Sequence, residues 1–172
     1  MKASMCFLAA VISLALATSL KSSAAVTVLC SSGPTSAIAG NSTWETIYSC
    51  TIPANTISTN QGIRITTVVA ISGTSQGDTE LQLHGVNVFG GGTPTNSGGY
   101  QYYNVNILNT GSTTGEASGI VPTNGNSAEL APSGTSLSGL SWSSAQTLQI
   151  LFYSGSTSVT GQGVTLTVEA LQ

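Results

Sequence analysis

Few side chains in this sequence could do chemistry, so each can be weighed on its own. His84 is the single histidine. A hydrolase of the Ser-His-Asp kind needs a hydroxyl, an imidazole base and an acid to orient it. Serines and threonines abound, but "GTSLSG" and "SGLSWSSA" lack the Gly-x-Ser-x-Gly spacing of a strand-to-helix nucleophile elbow. His84 follows Leu83 in a strand-like run and reads as a surface or interstrand residue. Carboxylate pairs for glycoside hydrolysis would have to come from Asp78, Glu80, Glu116 and Glu129. Asp78 and Glu80 lie two apart on one strand face, where calcium would need backbone oxygens to join them. Their plainer reading is two solvated acids at a strand start. "FGGGTP" lacks the helix and lysine of a phosphate loop. These residues point to a non-catalytic chain without a cofactor.

Aromatic residues are better placed for binding. Tyr100, Tyr102 and Tyr103 follow a Gly-rich segment, and Tyr100 and Tyr102 share a strand face by the two-residue alternation. Exposed rings stack on sugars and anchor protein interfaces. Tyr100, Tyr102 and Trp142 are therefore the candidate ligand-binding residues. Asn41-Ser42-Thr43 is a glycosylation sequon.

The chain opens with Lys2, an apolar run from Cys6 to about Leu16, and a small polar stretch ending Ser23-Ala24-Ala25. This is the pattern of a cleavable secretory signal. Thr18, Ser19, Lys21 and Ser22 interrupt it before the roughly 18 apolar residues a membrane anchor requires. The expected organisation is a signal over residues 1–25 and one domain over 26–172, secreted or displayed at the cell surface.

Removing the signal leaves Arg64 as the one Lys or Arg against all six acids. Nucleic-acid binding needs several cations on one face, and so does an anionic membrane surface; both are excluded as partners. It also leaves Cys30 and Cys50, an even pair in an oxidising compartment, expected to form a disulfide. A zinc site would need four ligands, and His84 alone is available to help, so no metal is expected.

The elements that must carry these residues are short strands. "GIRITTVVAI" (62–71) sets Ile63, Ile65, Thr67, Val69 and Ile71 on one face. "TELQLHG" (79–85) turns Leu81 and Leu83 inward, "YYNVNIL" (102–108) Tyr103, Val105 and Ile107, and "TLQILFY" (147–153) Leu148, Ile150 and Phe152. "VTLTVEAL" (164–171) does the same with Val164, Leu166, Val168 and Ala170. A period of two with Thr and β-branched residues marks half-buried strands. Trp44 to Ile52 forms another, stopped by Pro53 and turned by Ala54-Asn55-Thr56. Segments 89–99 and 121–136 are Gly- and Pro-rich and read as long turns. The expected fold is all-β, an antiparallel β-sandwich of the jelly-roll kind.

"ETIYSCTIPANTISTNQGIRI", with "TELQLHG" and the closing "VTLTVEAL", resembles β-sandwich structural domains of bacteriophage virion and tail proteins. The matching positions are Ile52 to Thr56, Gly62 to Ile65, Leu81 to Gly85 and Val164 to Leu171. The resemblance implies a non-catalytic assembly role, often as a homotrimer or polymer. The secretory signal and the Cys30–Cys50 pair depart from that pattern. The function expected is a secreted structural or surface-assembly protein whose partner is itself. The alternative is a carbohydrate-binding module that takes an extracellular polysaccharide on Tyr100, Tyr102 and Trp142, and an exported hydrolase comes third.

Overall fold

In a computed structural model the described residues, 26–90, 99–122 and 128–172, form eleven strands in two antiparallel sheets. The expected signal, residues 1–25, lies outside them. The strands are β1 (Thr27–Ser32), β2 (Ile38–Ala39), β3 (Glu45–Ile52), β4 (Gly62–Ser72), β5 (Asp78–Leu83) and β6 (Val86–Gly90), followed by β7 (Gly99–Gly111), β8 (Thr114–Pro122), β9 (Ala128–Ser138), β10 (Gln146–Tyr153) and β11 (Thr160–Leu171). The larger sheet runs β1-β11-β4-β7-β8-β9, with β2 also on β11, and the smaller runs β3-β10-β5-β6.

Pairing is nested. β5 pairs with β6, β4 with β7, β3 with β10, and β1 with β11, each pair enclosing the previous one in chain order. The β8–β9 hairpin, inserted between β7 and β10, widens the larger sheet.

The alternation seen in the sequence fills the space between the sheets. Ile63, Ile65, Thr67, Val69 and Ile71 of β4 are buried against Leu81, Leu83, Leu148, Ile150 and Phe152 of the smaller sheet. Tyr103, Val105 and Ile107 join them from β7. Thr67, polar in an apolar layer, donates its hydroxyl to the Thr165 carbonyl at 2.8 Å, which offsets its desolvation. Cys30 and Cys50 are bridged across the two sheets, β1 to β3, with a Cα–Cα distance of 6.3 Å. The two strands face one another without pairing.

Four expectations need correcting. Val164 does not face the core: a bulge between Gly163 and Thr165 resets the alternation, and Gly161 and Gly163 take the inward positions before it. These glycines sit under aromatic rings, since a Cβ on Gly163 would lie 2.4 Å from Tyr48 and one on Gly161 2.5 Å from Phe152. Segment 121–136 is not one long turn, since 121–122 belong to β8 and 128–136 to β9; residues 123–127, and 91–98 of the other expected turn, lie outside the described residues. Small and polar residues hid β9, because it is an edge strand. His84 is not in a strand; with Gly85 it forms the two-residue turn between β5 and β6. Glu80 is not a solvated acid, being 8% exposed and accepting a 2.6 Å hydrogen bond from Gln82.

Candidate functional site

Tyr100 and Tyr102 owe their position to the residues between and after them. Gln101 and Tyr103 point inward from β7 and are buried. The Tyr103 hydroxyl lies 2.5 Å from the Thr79 hydroxyl and donates to the Thr79 carbonyl at 3.1 Å, and Thr79 also hydrogen-bonds Gln101. This buried network ties β7 to β5 across the sandwich, and burial pushes the Tyr103 hydroxyl far above the ordinary tyrosine range. With the odd positions anchored, alternation sends the even ones outward. Tyr100 is 77% exposed and Tyr102 40%. Their neighbours across the ladder on β4 are Ala70 and Val68, side chains too short to cover the rings. Leu108, further along the same face of β7, is also exposed.

Trp142 is not part of that surface. It is buried, its indole N–H donates to the Thr114 carbonyl at 2.9 Å, and its own carbonyl accepts from Asn55 N at 3.0 Å. It fastens the Pro53-Ala54-Asn55 turn at the opposite end of β7 from Tyr100. There it lines a groove of about 300 Å³ with Asn55, Ile57, Ser58, Asn109 and Ser112. The three aromatic residues chosen from sequence therefore separate into an exposed pair and a buried anchor.

A second aromatic group escaped the sequence. Trp44, 40% exposed, packs against Tyr153 with ring centroids 5.3 Å apart and planes tilted by 42°. Trp44 immediately precedes β3 and Tyr153 ends β10, and the antiparallel register of these strands brings them together. The turn leading into Trp44 is built from Asn41, whose side-chain oxygen accepts from Thr43 N at 2.9 Å and lies 2.6 Å from the Thr43 hydroxyl. The Asn41 amide donates to Glu45 at 2.6 Å. Hydrogen bonds from Asn41 and then Thr43 hold the Glu45 carboxyl below its usual range. Backbone bonds from Gly40 N to the Val159 carbonyl and from Ser42 N to the Ser154 carbonyl pin this turn to the segment joining β10 and β11.

Charge is sparse on these surfaces. Arg64 of β4 pairs with Glu169 of β11 at 2.6 Å on the outer face of the larger sheet. Among the described residues no three His, Cys, Asp or Glu side chains gather to hold a metal ion. The described residues contain no helix long and apolar enough to cross a membrane. No family model matches the chain, and neither a curated protein nor a solved structure matches it.

Proposed function

We propose that this chain is a secreted, non-catalytic jelly-roll domain that assembles with copies of itself outside the cell. The nested pairing of β1 with β11, β3 with β10, β4 with β7 and β5 with β6 supports the jelly-roll reading, because rolling one long hairpin into two sheets generates that order. The observation that carries the assembly reading is the outer face of the larger sheet. There Tyr100 and Tyr102 stand exposed over Ala70 and Val68, several rungs along β4 from the Arg64–Glu169 pair. Interface cores are depleted in charge and enriched in tyrosine. The resemblance to phage virion sandwich domains points the same way, toward a homotrimer or polymer.

Size-exclusion chromatography with light scattering, on the chain from residue 26, tests the reading. The expected result is a homo-oligomer that Tyr100→Ser with Tyr102→Ser converts to folded monomer. A monomer at every concentration, or an oligomer indifferent to both substitutions, overturns it.

A further inference from the structure

The outer face of the smaller sheet carries a pattern that the assembly reading does not use. Gln149 lies between inward Leu148 and Ile150, Gln82 between inward Leu81 and Leu83, and Ser49 between buried Tyr48 and Cys50, so all three face away from the core. Register places Ser49 opposite Gln149, Gln149 opposite Gln82, and Gln82 opposite Asn87. One row of uncharged hydrogen-bonding side chains thus crosses all four strands. At the usual spacing between strands it spans about 14 Å. Four residues along β10 from Gln149, about 13 Å away at the rise of a strand, stands Tyr153 with Trp44 against it.

We propose that this face binds a neutral polysaccharide, stacking a sugar ring on Trp44 and Tyr153 and holding neighbouring units on the Ser49–Gln149–Gln82–Asn87 row. The chemistry favours such a ligand for three reasons. A carboxamide presents donors and an acceptor together, matching sugar hydroxyls that are also both. An aromatic ring with one face in solvent supplies apolar area without demanding charge. Glu45 beside Trp44, and Asp78 paired in register with Tyr153, set negative charge at the aromatic end and disfavour anionic glycans. The hydrogen-bonded Asn41–Thr43–Glu45 turn holds the backbone leading into Trp44 before any ligand arrives, which lowers the ordering cost of binding.

Affinity electrophoresis through gels containing mixed-linkage β-glucan, xylan or galactomannan tests this, with polygalacturonate as the anionic control. At least one neutral polymer is expected to retard the protein, and polygalacturonate is not. Trp44→Ala should weaken the retarding interaction at least about tenfold, the loss expected for a central aromatic anchor, and Gln149→Ala should weaken it less. Tyr100→Ala should leave it unchanged, which separates this site from the surface proposed for assembly. Because Trp44→Ala could disturb β3, its melting temperature is measured alongside. A Trp142→Phe variant provides an independent readout, since its remaining indole is Trp44 and its emission should shift on adding the polymer. No retardation by any neutral polymer, retardation unaffected by both Trp44→Ala and Gln149→Ala, or loss on Tyr100→Ala instead would overturn the proposal.

Discussion

His84 has φ of 53° and Gly85 beside it 75°, the left-handed pair that a two-residue β-turn of the primed type demands. Glycine and asparagine take this region readily, whereas an imidazole-bearing residue is held there at a cost. Its backbone N–H donates to the Thr147 carbonyl at 2.7 Å, a bond any residue can make. His84→Asn is therefore expected to raise stability by up to about 1 kcal/mol, as read by urea denaturation; a loss would mean that the imidazole itself holds the turn. Tyr103 illustrates the opposite case, a side chain whose protonation the fold controls. Burial moves the pKa of Tyr103, and that of Tyr48, above the ordinary value of 10.0 by disfavouring the ionised form. The folded protein keeps these hydroxyls neutral at a pH where the unfolded chain releases their protons. Their contribution is fully present below pH 10 and falls as pH rises beyond it, by about 1.4 kcal/mol per pH unit for a group that stays neutral only in the fold. Thermal melts at pH 7, 9 and 11 should show stability dropping only in the last interval. Tyr103→Phe should lower stability at pH 7 by about 1 kcal/mol through the lost hydrogen bonds and make the alkaline fall shallower. An equally steep fall in that variant would assign it to other groups.

Among the elements, β11 shows how much of this fold was legible and where legibility stopped. Its second half alternates as written, with Leu166, Val168 and Ala170 buried. Its first half defeats alternation, because the inward positions are glycines and the bulge at Gly163 changes the phase. Those glycines leave room for the rings of Phe152 and Tyr48 descending from the opposite sheet, a fact of tertiary packing that no local pattern encodes. Gly163→Ala should drive a methyl into the Tyr48 ring, whose hydroxyl is fixed by a 2.8 Å bond to the Gly33 carbonyl, and cost about 1–3 kcal/mol. A circular-dichroism melt unchanged by the substitution would show that the ring yields freely. β4, β7 and β10 were readable because they are central and buried on one face. β8 and β9 were not, since edge and insertion strands need no apolar stripe. The same division holds for the candidate sites. The outward pairing of Tyr100 and Tyr102 follows from spacing alone. Trp142 lies outside the strands, and no periodicity tells which way its loop folds. Trp44 meets Tyr153 only through the register of β3 on β10, two strands far apart in sequence.

For the whole molecule, nesting means that the outermost pair, β1 and β11, joins the two ends of the fold, Thr27 opposite Ala170. The Cys30–Cys50 bridge, with a sequence separation of 20, fastens this outermost pair to the smaller sheet. Tension applied between residues 27 and 170 would pull β1 from β11 rung by rung, a geometry that resists weakly because each bond breaks in turn. With the bridge intact the peeling stops at Cys30, and the load passes to Cys50 in the middle of β3. The residues between the two cysteines then form slack that force cannot reach. In optical-tweezer experiments the fully extended reduced chain should be longer than the oxidised one by about 70 Å, from the reach of an extended chain over that separation. In the reduced protein the peeling should continue past Cys30 at the same low force, and equal lengths in both redox states would show that the bridge had not formed. A domain built this way can be tugged repeatedly at its ends while its first strand works as a tether rather than as a seam.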